Sequence, residues 1–155
     1  MIPTSTEHAA GGGAGISVVM ATFNGARFLD EQLGSVLFQT VQPLEVIVCD
    51  DRSDDETVSI VESWMDRLPL KYYVNESRLG VVRNFQRACS LATEGNYIAL
   101  CDQDDIWKPD KLEKSRIALE KIDDHSSPAM VYTDMEVVDE NKKLLNVSFW
   151  NVNTM

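Results

Sequence analysis

Residues Tyr97 to Pro109 read YIALCDQDDIWKP. Five apolar residues, Tyr97 to Cys101, run unbroken and then give way to Asp102, Asp104 and Asp105. The run is too short for a helix, follows the turn-forming Glu94-Gly95-Asn96, and predicts a strand. Its continuous apolarity predicts burial on both faces, as in a mostly parallel sheet between helix layers. Open sheets of that kind bind ligands at the carboxyl ends of their strands, and the three carboxylates stand at such an end. Like charges held this close repel, so they require water, a basic partner or a metal ion. A divalent cation carrying a nucleotide answers that requirement.

Working outward, Ile16 to Ala21 (ISVVMA) is β-branched and ends at the loop signal Thr22-Phe23-Asn24-Gly25, which makes it a first strand. Leu29, Leu33, Val36 and Leu37 then share one face of a helix that stops by Gln42-Pro43. Leu44 to Cys49 (LEVIVC) is a second buried strand, followed by the acidic turn Asp50 to Thr57 (DDRSDDET). Ser53 or Asp54 is expected to cap the next helix, whose apolar face is Val61, Trp64, Met65 and Leu68. Leu70 to Val74 is a third strand. Val81, Phe85, Ala88, Cys89 and Ala92 give a third helix over about Gly80 to Thr93. Strands alternating with helices predict a doubly wound sheet. Beyond the acidic stretch, a charged helix over Pro109 to Ile122, a strand over Met130 to Asp134 and a hairpin turning at Asp139-Glu140-Asn141-Lys142 are expected.

At 155 residues and 44% hydrophobic, the chain predicts one domain, residues 16–155, behind a small, glycine-rich flexible leader over residues 1–15. The net charge of −11 argues against nucleic acid as a partner, although an anionic nucleotide can still bind through a bridging cation. No apolar run is long enough to span a bilayer, and the N-terminus lacks a signal-peptide pattern. A cytoplasmic location is expected, with peripheral attachment to the inner face of the membrane as an extension of it. Cys49, Cys89 and Cys101 have neither disulfide-framework nor zinc spacing and read as buried small hydrophobes. His8 and His125 lie far apart in sequence, so a metal site here is oxygen-rich, which favours Mg2+ or Mn2+.

Two acidic loops, Asp50-Asp51 and Asp102 to Asp105, each end a buried strand, and on parallel strands both emerge at one edge. Neither has the glycine and terminal glutamate of a calcium-binding EF-hand loop. A haloacid-dehalogenase-type phosphatase uses a D-x-D after its first strand, whereas three strands precede this one. A bacterial receiver domain, with VIVCDD as its acidic pair and Asp102 as phospho-acceptor, is the alternative from another class, as is a nucleotide-binding module without catalysis.

With those residues placed, the sequence resembles glycosyltransferase family 2 in four ordered motifs: ISVVMATFNGARFLDEQLGSVLFQT, EVIVCDDRSDDET, NESRLGVVRNFQRA and GNYIALCDQDDIWKPDKL. They cover roughly Ile16 to Leu145. The resemblance implies an α/β GT-A (Rossmann-like) fold, a mostly parallel sheet flanked by helices, with the chain ending before the acceptor-binding part. It implies an inverting transferase that uses a UDP- or dTDP-linked sugar donor and a saccharide or lipid-linked acceptor. It assigns Asp104, with Asp102 beside it, to the metal, and Asp102 also to the ribose. Asp51 would accept from the imide N–H of a pyrimidine base, with Ala21, Thr22, Phe23 and Asn24 against the same base. Gly80, Arg83 and Asn84 would approach the nucleotide, and Gln103 stands between the two metal carboxylates. Asp105 is expected to orient the loop or to cap the helix that starts near Pro109, and Trp107 to anchor the core or the loop. The DQDDIW form resembles bacterial members that build surface polysaccharides. Family members use a carboxylate base that follows later strands; Asp134 lies too early for that role, and no catalytic base is assigned. A missing acceptor half would leave apolar surface for self-association.

Overall fold

A computed structural model describes residues 15–122 and 127–152. Seven elements run in order to the acidic stretch: β1 (Ile16–Thr22), α1 (Leu29–Leu37), β2 (Glu45–Asp50), α2 (Thr57–Trp64), β3 (Leu70–Val74), α3 (Val81–Leu91) and β4 (Tyr97–Asp102). Then follow α4 (Lys111–Ile122), β5 (Val137–Val138), β6 (Leu144–Asn146) and α5 (Phe149–Val152). The predicted leader lies outside the described residues apart from Gly15, whose carbonyl accepts from the N–H groups of Asn96 and Tyr97.

The first four strands form one parallel sheet in the order β3-β2-β1-β4. Its register sets Thr22 opposite Asp50, Asp50 opposite Val74, and Ala21 opposite Asp102. Every strand therefore delivers its carboxyl end, and the loop after it, to the same edge. Side chains alternate between faces. Ile16, Val18, Met20, Val46, Val48 and Cys101 pack on one side with Leu29, Leu33, Val36, Val61 and Trp64, while Val19, Ile47 and Cys49 pack on the other with Ala88 of α3. All three cysteines are free, and burial pushes the Cys49 thiol up to about 11.

Three sequence expectations about the elements up to β4 change. Burial of β4 on both faces does not hold among the described residues: Tyr97 and Ala99 pack inward, but Ile98 and Leu100 are 46% and 59% exposed. The reason is topological, because β4 is an edge strand and α3 lies over β1 and β2. Neither Ser53 nor Asp54 caps α2; Asp55 accepts from the Thr57 N–H at 3.0 Å, while Ser53 and Asp54 turn toward the loop after β1. Met65 is exposed on α2, leaving Val61 and Trp64, with Leu68 just past its end, as the buried face.

The chain divides between Arg116 and Ile117 into two compact units. In the second unit, residues 130–134 form no strand. β-branched and aromatic residues need a partner strand to become one, and Asp134 instead accepts from the N–H groups of Met135 and Trp150. The predicted hairpin is present as antiparallel β5 and β6, its turn held by Asp139 accepting from the Asn141 and Lys143 N–H groups.

Gly95 shows how closely the first unit is packed at the amino edge of the sheet. A Cβ there would stand 2.3 Å from the Ser17 backbone nitrogen. Gly95→Ala is expected to lower stability by about 2 kcal/mol, as overpacking against immovable backbone does. Urea unfolding checks it, and an unchanged midpoint would show that the turn yields.

Candidate functional site

The loop after β1 and the loop after β2 are stitched together by polar contacts. Asn24, at φ 48°, donates from Nδ2 to Asp54 at 2.8 Å and accepts from the Asp54 N–H at 3.0 Å. The Gly25 N–H donates to Thr57 Oγ1 and the Ala26 N–H to Asp55. Asp50, fully buried, accepts from the Thr22 hydroxyl at 3.0 Å and from both the N–H and the hydroxyl of Ser53. It closes the turn that its neighbour depends on.

Asp51 organises the next wall. Its carboxylate accepts from Asn75 Nδ2 at 2.7 Å, from the Leu79 N–H at 2.6 Å and from the Gly80 N–H at 2.8 Å. Burial alone would raise its pKa, but those three donors and the nearby Arg78 charge outweigh burial and hold it below the usual carboxylate range. Three acceptor sites are used, and one lone pair of a carboxylate's approximately four remains for a ligand. Buried Asn84 accepts from Asn75 and donates to the Cys49 carbonyl at 2.8 Å, which fixes α3 to β2. Gly80 sits at φ 79° with open space where a Cβ would be. Only glycine takes that conformation without strain.

The acidic loop forms the opposite wall. Gln103 clasps the backbone of Phe23, accepting from its N–H at 2.9 Å and donating to its carbonyl at 3.2 Å. Asp102 and Asp104 are left exposed at the end of β4, with Asp105 half-buried behind them. Burial, then repulsion from Asp104, raises the pKa of Asp102; burial, then the charges of Asp102 and Asp104, raises that of Asp105. Trp107 is buried in the core, the anchor expected of it.

Between these walls lies a cavity of about 310 Å³. Ala21, Thr22, Phe23, Asp51, Gly80, Asn84, Asp102, Gln103 and Asp104, all singled out from sequence, line it. Asn24 and Arg83 do not: the Asn24 amide is spent on Asp54, and Arg83 is exposed outside the cavity. The structure adds Arg78, Val81 and Phe85. The Arg78 guanidinium lies 3.6 Å from the Phe23 ring centroid, a cation over an aromatic face at the mouth of an acidic cavity. Its signal in the sequence was its place two residues before Gly80.

The donor set suits a hard divalent ion. It consists of oxygen only, with two exposed carboxylates whose mutual repulsion a cation relieves. Among the described residues, no group of three or more His, Cys, Asp or Glu side chains is placed to hold a metal ion alone. A divalent ion held by Asp102 and Asp104 would need further ligands from water or a bound anion, the kind of site that suits Mg2+ or Mn2+ with phosphates.

The sequence model of Glycosyl transferase family 2 matches residues 17–153. A putative glycosyltransferase of Bacillus subtilis, EpsE, is 36% identical over 132 residues, which are 83% of this chain and 45% of that protein. An uncharacterized glycosyltransferase of Nostoc, alr2836, is 29% identical over 84% of this chain and 39% of its own length. This chain thus spans less than half the length of either relative. Among solved structures, S. aureus TarS 1–349 in complex with UDP superposes with a TM-score of 0.64 at 25% identity, covering 83% of this chain and 43% of that one. A mannosyltransferase from Pyrobaculum calidifontis, in complex with GDP-Man and Mn2+, gives 0.65 at 28% identity over 70% of this chain and 33% of its own. The parallel sheet flanked by helices is the GT-A fold of these transferases. The four motifs, the sheet order and these likenesses agree, and the chain belongs to glycosyltransferase family 2.

Proposed function

We propose that this chain binds the nucleoside diphosphate sugar donor of an inverting glycosyltransferase, with UDP or dTDP as the carrier. The observation that carries the reading is the meeting, around one cavity, of the Asp51-held loop and the exposed pair Asp102 and Asp104. Phe23 and Arg78 offer a flat, cationic surface to a base, and Asp51 keeps an acceptor for its imide N–H. Gly80 lets the ligand approach main chain, and the Asp102 carboxylate takes the ribose hydroxyls. Asp102 and Asp104 would hold Mn2+ or Mg2+, which offsets the charge that develops on the departing diphosphate. Gln103 keeps their loop against β1.

The acceptor is a saccharide or a lipid-linked saccharide, as in the assembly of bacterial surface polysaccharide, and no residue of this chain is assigned as its base. As its place of action we propose the cytoplasm or, peripherally, the inner membrane face; no helix among the described residues is long and apolar enough to cross a membrane. The open face of β4, with Ile98 and Leu100, is the surface through which the chain self-associates, and sedimentation over a concentration series tests that.

The central test is calorimetric titration with UDP and dTDP, with Mn2+ and then with chelator. Binding is expected to weaken at least about tenfold on chelation, and Asp104→Ala to remove that difference. A folded wild-type protein that binds neither nucleotide under any condition overturns the reading.

A further inference from the structure

The buried face of α1 is not wholly apolar. Gln32, Ser35 and Gln39 are all buried, at spacings that put them on one stripe running from α1 into the turn after it. Buried polar side chains are unfavourable unless they are hydrogen-bonded, so their partners show what the stripe does. Gln32 Nε2 donates to the sulfur of Cys101, the residue just before Asp102. Ser35 Oγ accepts from the Trp107 N–H at 3.0 Å. Gln39 donates to the Lys108 carbonyl at 2.8 Å and accepts from the Leu112 N–H at 3.0 Å. The Thr40 N–H donates to the Pro109 carbonyl at 2.8 Å. Ser35 also donates to the Gln32 main-chain carbonyl at 2.7 Å, and its hydroxyl lies 3.2 Å from the Gln32 side-chain oxygen, joining the stripe internally.

These contacts grip the chain immediately before and immediately after the acidic loop, and every partner in the second group is main chain. Three apolar residues in place of Gln32, Ser35 and Gln39 would pack but could not hold backbone groups in register. We propose that Gln32, Ser35 and Gln39 are positioning residues that fix the Asp102 to Asp105 loop at the spacing its carboxylates need to share a cation. The inference rests on reading Asp102 and Asp104 as the cation carboxylates. The loop is restrained on one side by Gln103 against Phe23 and on the other by this stripe. Its two exposed carboxylates repel, so without the restraint they would swing apart.

The test uses Ser35→Ala, which removes only a hydroxyl, Gln39→Met, which keeps length and removes the three side-chain hydrogen bonds to Ser35, Lys108 and Leu112, and Ser35→Thr as the conservative control. The first readout is the affinity for UDP with Mn2+ against that with chelator. Ser35→Ala and Gln39→Met are expected to reduce the Mn2+-dependent gain about tenfold or more, as loss of groups that orient metal ligands does, with affinity in chelator unchanged. Ser35→Thr is expected to restore it. A purely structural role would lower the unfolding temperature but leave the ratio intact, and folded variants with a wild-type ratio overturn the proposal. The second readout needs no ligand: amide hydrogen exchange over residues 103–107 is expected to accelerate in Ser35→Ala and Gln39→Met, and unchanged exchange also overturns it. If wild type shows no Mn2+-dependent gain while exchange still accelerates, the cation reading has failed and the stripe is shown to hold the loop for some other purpose. That outcome overturns the proposal as stated.

Discussion

Asp51→Ala is expected to abolish measurable UDP binding and to lower folding stability by about 3 kcal/mol. The loss follows from what the carboxylate holds. Removing it takes the acceptor from the half-buried Leu79 N–H, the Gly80 N–H at the cavity edge and the buried Asn75 amide, which keeps only Asn84, and a buried donor left unsatisfied costs about 1–3 kcal/mol before relaxation. Opening of the Asn75–Gly80 loop limits the total and destroys the cavity wall. Asp51→Asn should fall between, since an amide keeps one acceptor and turns an NH2 toward a donor. Urea unfolding and calorimetry measure the two effects. An alanine variant of wild-type stability would mean that the loop stands without Asp51, and the site would have to be redrawn.

Glu45→Ala is expected to be as damaging to the fold, from the other end of the sheet. Glu45 is buried, and its Oε1 accepts from the Ser17 hydroxyl at 2.6 Å and from the Thr93 and Glu94 N–H groups at 2.7 and 2.8 Å. Its Oε2 meets Lys71 Nζ at 2.9 Å. Burial pushes the carboxyl up, but these donors outweigh burial and bring it from 4.5 down to about 2. A folded-state pKa below the unfolded one stabilises the protein at pH above the unfolded value. That stabilisation is lost as pH falls through about 2, and the shift corresponds to roughly 3 kcal/mol. Glu45→Gln keeps an acceptor for the three donors and should cost less at neutral pH. Acid titration followed by circular dichroism should show the wild-type advantage over Glu45→Gln shrinking between pH 4.5 and about 2. An advantage independent of pH would mean that the carboxylate is not the source of the stability.

The strands could be read in the sequence because each is an unbroken apolar run ended by a loop signal, as in ISVVMA and LEVIVC. Parallel pairing then brought Asp51 and Asp102 to one edge without further information. What the pattern hid was the partner of each polar group. Asp51 looks in sequence like a free acceptor for a base, yet most of its capacity is used within the protein. Gln32 and Ser35 carry no signal of their role in the amphipathic pattern of α1, because their partners lie 69 and 72 residues away. Asn24 was placed against the ligand by its position in a motif, whereas Asp54, thirty residues on, claims it. Met130 to Asp134 has strand composition, but composition does not supply a neighbouring strand.

The two walls of the cavity hang on different anchors and meet at Phe23, whose ring lies under Arg78 and whose backbone Gln103 clasps. The Asn75–Gly80 loop hangs on Asp51, whereas the acidic loop hangs on Phe23 through Gln103 and on α1. On the proposed assignment, recognition of the base and recognition of the diphosphate fall to different loops, which can be inherited separately. A graft replacing residues 76–79 is then expected to retune carrier preference and leave the cation half unaltered, so donor range in such a scaffold would diversify by exchange of one short loop.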